Sequence, residues 1–296
     1  MLISHKDDEQ FNLKKHIVNL SSGLGDTSDL DEKIKLLTEL SEFELGRFLL
    51  TQRGLNGYWT AYVILHGPIF VGLSPLESWI LHRAPGIKGT RERFFIFQQQ
   101  VQKRLLNNMA LASIPCGLMD DLLTLDYSEL SDITLTGIDL DLSSLNLARK
   151  NAIIKSIDFA NFIQEDAWDF EAKDSFDAIV SNGLNIYEPE PKRLLELYTQ
   201  FYSALRDEGT LITSFVTPPP VISSRSPWKH VNEEHALMQR LIFGELMKVN
   251  WQSYQLEEDV VHQLEQVGFR VQEVIYDSQC VFPTIIAKKN CKPSLN

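Results

Sequence analysis

The chain has 296 residues, 28 of them basic and 40 acidic, for a formal net charge of −12. That length can bury a full α/β core with a helical extension, while the charge argues against nucleic acid and anionic membranes as partners. The nearest basic run, 88–93, holds only three basic residues. Cys116, Cys280 and Cys291 show no CxxC or Cys/His spacing, so neither a disulfide framework nor structural zinc is indicated, and a reducing, cytoplasmic setting fits best.

In chain order, the opening MLISHKDDEQFNLKK lacks the apolar centre of a secretory signal, and the longest apolar region, 58–73, is cut by His66-Gly67-Pro68, so no membrane span is expected. Residues 1–29 hold no sustained period and read as a partly flexible leader. From Leu30 the apolar residues Leu30, Ile34, Leu37, Leu40 and Phe43 recur at helical spacing, and a second helical run over 44–52 ends at Gly54. Asn56-Gly57 punctuates the chain before an aromatic helix over 58–66, which Pro68 ends; helices over 76–82 and 90–107 follow. Residues 30–107 are therefore expected to form a helical cap, with Arg91 and Arg93 at the start of its last helix.

After Asn107 strands and helices alternate. Strands are expected over 109–114, 133–138, 157–163, 176–181 and 210–216. Ser143 and Ser144 offer an N-cap to a helix bearing Leu145, Ala148 and Ala152, and the stripe Leu194, Leu197, Tyr198, Phe201 marks another helix, stopped by Asp207-Glu208-Gly209. Strands separated by helices of this length pair in parallel through right-handed crossovers. A Pro/Ser-rich loop over 217–228 leads to helices over 233–248 and 257–267. Strands over 269–277 and 280–288, with only Ser278-Gln279 between them, must pair antiparallel.

The loop motifs then fall at strand ends. After the first strand stands Ser113-Ile114-Pro115-Cys116-Gly117-Leu118-Met119; Asp139 ends the second, 22 positions after Gly117, with Leu140 beside it; Asp166-Ala167-Trp168 follows the third; Phe176-Asp177-Ala178-Ile179-Val180-Ser181 runs into Asn182-Gly183 and Asn185. Over residues 109–289, within an expected domain of 108–296, this order resembles the class I, Rossmann-like S-adenosylmethionine-dependent methyltransferases. The resemblance implies an α/β fold: a doubly wound, mostly parallel seven-stranded sheet with an antiparallel last strand, plus the helical N-terminal cap. It departs at the first turn, where only Cys116 and Gly117 match, the family's acidic residue is absent, and Pro115 has no N–H to offer a ligand.

The resemblance also implies roles. Pro115, Cys116 and Gly117 would face the cofactor, Asp139 would accept the ribose hydroxyls with Leu140 adjacent, Asp166, Ala167 and Trp168 would meet adenine, and Asn182 and Gly183 would line the methyl-bearing end. Arg91 could pair with the cofactor carboxylate. Tyr58, Trp59 and Tyr62 in the cap, with Asn185, are candidates to face a substrate, since a sulfonium is well placed against aromatic rings. Tyr187 and His230 are the candidate proton acceptors. Cys116 has no base beside it in sequence and is read as a turn residue. The expected activity is direct, metal-independent methyl transfer from S-adenosyl-L-methionine to a small or medium-sized molecule, leaving S-adenosylhomocysteine. The alternative is a catalytically silent protein that binds the same cofactor. The acceptor atom and the oligomeric state stay open.

Overall fold

The computed structural model describes residues 11–22 and 30–290. The described residues form two compact units, one made of those up to 88 together with 231–250, the other of 89–230 and 251–290. Of the expected leader, Leu13–Ser22 forms helix α1; the rest, 1–10 and 23–29, lies outside the described residues.

The first unit is helical. α2 (Leu30–Ser41) buries Leu36, Leu37 and Leu40, and α3 (Glu44–Gln52) buries Leu45, Leu49 and Leu50, as their spacing requires. The expected aromatic helix is split: α4 (Gly57–Ala61), capped by Asn56 accepting from Trp59 N, passes into a wider turn at Tyr62–His66 and a tight one at Gly67–Ile69. α5 (Pro75–His82) is capped by Ser74. The unit also recruits α10 (Glu233–Gln239) and the wide helical turn Arg240–Leu246 from far along the chain. Gly86 N donates to Gln239 Oε1 at 2.6 Å and Asn250 N to Arg53 O at 2.7 Å, while Lys33 pairs with Glu245. Sequence separation hid this association, because the contacts span roughly 150 to 210 residues and carry no local period. α6 (Pro85–Gln102) runs from this unit into the second.

In the second unit, β1 (Ala110–Ser113), β2 (Thr134–Asp139), β3 (Ala160–Gln164), β4 (Phe176–Ser181), β5 (Leu205–Ser214), β6 (Phe269–Ile275) and β7 (Thr284–Lys289) form one seven-stranded sheet in the order β3-β2-β1-β4-β5-β7-β6. β1 to β5 pair in parallel, and β7 runs antiparallel to both β5 and β6. Side chains alternate across the sheet. Ala112, Ile179 and Leu211 pack with Leu197 and Phe201 of α9 (Pro191–Ala204) and Val260 and Leu264 of α11 (Glu257–Val267). Leu111, Ala178, Val180 and Ile212 pack with Phe97 and Val101 of α6 and Leu145 and Ala148 of α8 (Leu142–Ile154). Two covered faces explain why Ala178–Val180 of β4 reads as an unbroken apolar run.

Three local expectations are corrected. The N-cap of α8 is Asp141, whose carboxylate accepts from Ser143 N and Ser144 N; the serines are the first-turn donors. α9 passes straight into β5 at Leu205, so Asp207-Glu208-Gly209 lies within the strand rather than ending the helix, with Glu208 at φ 61. The link between β6 and β7 spans 276–283 and is drawn in by buried Asp277, which accepts from Gln279 N and Phe282 N. A side chain organises that link as an eight-residue loop, a form that hydrophobic alternation does not reveal.

Candidate active site

A crevice of functional groups in an open α/β sheet belongs at the carboxyl ends of its parallel strands, and the residues expected after β1, β2, β3 and β4 stand there. The turn after β1 is pinned from several sides. Ile114 N donates to Val180 O, Cys116 N to Ile138 O, and Gly117 N to Asp139 Oδ2 at 2.8 Å. Gly117 adopts φ 51, which its lack of a Cβ allows. Asp139 Oδ1 accepts from Asp141 N at 2.9 Å. Thus Asp139 couples the β1 turn to the entry of α8, and the N–H of Gly117 is engaged by protein. Burial raises its pKa against those two backbone bonds. Each carboxylate oxygen keeps acceptor capacity for a further donor.

The turn sits close to β2: a Cβ on Gly137 would lie 2.9 Å from Cys116 Sγ and 3.1 Å from Met119 Sδ. Burial, then the carboxylates of Asp139 and Asp121, hold the Cys116 thiol well above its usual range, so it is no nucleophile at neutral pH. Leu140 is 40% exposed at the strand tip, and its carbonyl accepts from Gln164 Nε2.

Beyond β3, Asp166 Oδ1 accepts from Trp168 N, and Ala167 is buried. The Trp168 indole N–H donates to Arg193 O at 2.8 Å, with the Arg193 guanidinium 5.0 Å from the ring centre. That fixes the ring against α9. Beyond β4, Asn182 carries a buried Oδ1 with no hydrogen-bond partner among the described residues, and Gly183 adopts φ 90. Asn185 is turned inward: its Nδ2 donates to Tyr198 OH at 3.0 Å, and the residue is 2% exposed.

Arg93 is the residue that sequence reasoning missed. A Cβ on Gly183 would lie 3.1 Å from both terminal nitrogens of its guanidinium. The group donates to Ser214 Oγ at 3.3 Å and lies 4.6 Å over the Phe282 ring. Arg93 is 4% exposed, takes part in no ion pair among the described residues, and leaves Nε unpartnered. Burial lowers its pKa to about 10, opposed by Tyr187 and Asp277, so it stays charged at neutral pH. Arg91, two residues earlier and so about 200° around the helix, is partly buried with a lowered pKa from that burial. A signal existed: Arg93 shares the i, i+4 row of Phe97 and Val101, a cation in register with the apolar stripe of α6.

Tyr187 packs edge-on to Trp251, within a group that includes Ile186, Val216, Trp228 and Tyr254. Gln255, next to that group in the chain, buries both amide atoms without a partner among the described residues. His230 is exposed at φ 55 at the end of the preceding loop. In the first unit, Tyr58, Trp59 and Tyr62 pack edge-on in series, Phe48 adjoins Trp59, and Tyr62 OH donates to Glu77 Oε1. Burial and then that carboxylate push the Tyr62 hydroxyl pKa upward.

This strand order, with a carboxylate closing β2 and polar exits at β3 and β4, defines the class I methyltransferase fold. The chain belongs to the methyltransferase-domain family, whose model matches residues 107–268, the span from β1 to the end of α11. A Bordetella parapertussis protein described as a possible exported protein has 36% identity and a TM-score of 0.88, with 94% of each chain covered. The magnesium protoporphyrin IX methyltransferase of Synechocystis PCC 6803, solved with bound S-adenosylhomocysteine, shares the fold at 13% identity and TM-score 0.53, over 79% of this chain and 99% of its own. No curated protein sequence matches the chain. Among the described residues no helix is long and apolar enough to cross a membrane.

Proposed function

We propose that this methyltransferase binds S-adenosyl-L-methionine across the ends of β1 to β4 and transfers its methyl group directly to a small or medium-sized, partly apolar molecule. The observation that carries the reading is the β4 exit. There a buried guanidinium, Arg93, meets Gly183 with its Nε unpartnered, and the neighbouring Asn182 presents a buried carbonyl oxygen without a donor among the described residues. A buried donor on a cation and a buried acceptor left open side by side are costly unless a ligand completes them. A carboxylate for Arg93 and an ammonium for Asn182 Oδ1 are the two ends of an amino-acid group, which this cofactor carries.

The other residues fit the rest of that ligand. Asp139 has acceptor capacity for ribose hydroxyls, Pro115, Cys116 and Gly117 shape the adjoining turn, and Asp166, Ala167 and Trp168 offer a carboxylate beside an apolar wall for adenine. The bound group supplies an electrophilic methyl on a sulfonium, and S-adenosylhomocysteine is what remains after transfer. The protein's work is alignment and exclusion of water. Tyr187, within electrostatic reach of Arg93, is the better placed proton acceptor, and His230 the more exposed one. The polar exit of β4 is an amide and a glycine, not the carboxylate a hard cation would want there, and this supports a metal-independent transfer. The acidic balance supports a small-molecule acceptor over nucleic acid. Buried free Cys116 and Cys280 suit the reducing cytoplasm.

Calorimetry tests the assignment. The wild-type chain should bind both S-adenosylmethionine and S-adenosylhomocysteine, and Asp139→Ala should lose that binding. No heat with either at millimolar concentration would end the proposal.

A further inference from the structure

The site as described makes no use of Asp121, yet this carboxylate lies directly beneath the β1 turn. It is 6% exposed, and Ser113, the last residue of β1, is fully buried. Ser113 Oγ donates to Asp121 Oδ2 at 2.7 Å, and Leu122 N donates to Oδ1 at 3.0 Å. The bond therefore joins the residue just before the turn to the second residue of α7 (Asp120–Leu123) just after it, closing the loop 114–120 at its base. Asp121 forms no ion pair among the described residues, and such a buried acid is expensive unless its position has a use.

The turn is held on its other sides by neighbours already named, and Asn151 Nδ2 bridges Leu118 O and Asp120 Oδ1. Burial pushes the Asp121 carboxyl up to about 7, with Asp120 adding to the rise. Cys116 in the turn and Tyr127 in the following loop are the other titratable groups that feel its charge.

We propose that Asp121 is the positioning residue of the ligand-binding turn: through Ser113 Oγ it fixes the backbone from Ser113 to Met119 in the form that receives the cofactor. A carboxylate on the following helix, eight residues on, thus takes up the place that an acid at the end of β1 would fill directly. The inference rests on the cofactor site proposed above.

The test is calorimetry with S-adenosylhomocysteine on the whole chain, with a urea melt of each variant beside it. Asp121→Asn is expected to weaken binding about 10-fold or more, the scale of a charge-assisted bond of about 1.5 kcal/mol. The exchange Ser113→Asp with Asp121→Ser conserves total side-chain volume while moving the carboxylate to the strand, and should bring affinity back to within about 3-fold of wild type. A side chain needed only for packing would not be rescued by that reversal. If Asp121→Asn fails to fold, Ser113→Ala cuts the same bond from the other side and should show the same loss. Wild-type affinity in Asp121→Asn or in Ser113→Ala, or a folded exchange variant that stays as weak as Asp121→Asn, would overturn the inference. No binding by the wild-type chain would instead overturn the cofactor site, and this inference with it.

Discussion

Replacing Gly183 by alanine perturbs the β4 exit through two separable terms. The backbone there has φ 90, a region that costs an L-residue about 1–2 kcal/mol. The new Cβ would also stand 3.1 Å from both terminal nitrogens of Arg93 and 3.4 Å from its central carbon. That guanidinium has little room to yield, being 4.6 Å over the Phe282 ring and bonded to Ser214 Oγ. If it is displaced, a buried charged hydrogen bond is lost, worth about 1.5–3 kcal/mol. The total expected destabilisation is about 3 kcal/mol, read as a shift in the urea transition of the second unit followed by Trp168, Trp228 and Trp251 fluorescence. Arg93→Met removes the contact, so Gly183→Ala in that background should cost only the backbone term, and the double-mutant cycle should show about 1–2 kcal/mol of coupling. A Gly183→Ala cost below about 0.5 kcal/mol, or an equal cost in both backgrounds, would refute the reasoning.

Asp139→Ala removes acceptors for Gly117 N and Asp141 N and is expected to cost about 2–4 kcal/mol of stability, while Asp139→Asn should retain part of it in the same melt. Asp141→Ala should destabilise by about 1 kcal/mol through loss of the α8 cap. Burial opposes it, but hydrogen bonds from Ser144 and Ser143 hold the Asp141 carboxyl below its usual range. Its contribution is therefore present above the unfolded carboxylate pKa and fades as pH falls through the lower folded value, so the wild-type advantage should shrink in melts at strongly acid pH. Asp121 has the opposite sign: with a folded pKa raised to about 7, the folded state binds the extra proton between about pH 4 and 7, and stability declines as pH rises through that window. The site accounts for up to about 4 kcal/mol of that decline; Asp121→Asn should flatten it in pH-dependent melts, and an unchanged slope would sink the assignment. Gly137→Ala should push Cys116 off β2 and lower S-adenosylhomocysteine affinity with a smaller effect on the melt.

Local pattern carried a great deal of this protein. The apolar runs at 109–114, 133–138 and 176–181, the helices between them and the antiparallel ending are legible because burial on a sheet or helix face repeats every two or 3.6 residues. Asp139 and Gly117 could be paired by their spacing within one strand-turn-helix-strand unit. Boundaries were less legible wherever a side chain overruled periodicity, as Asp141 does at the start of α8 and Asp277 does in the loop before β7.

The sequence by itself determined the alternating architecture and the order of polar residues at the strand ends, since both follow from local periodicity and the direction of parallel strands. Only the tertiary structure decided which arginine stands at Gly183, that Asp121 accepts from Ser113 Oγ, that Asn185 turns to Tyr198, and that residues 231–250 belong with the N-terminal helices. Those outcomes depend on partners distant in the chain or on opposite sides of one helix. Their energy is settled by desolvation and close packing in three dimensions, terms that no short window of sequence contains.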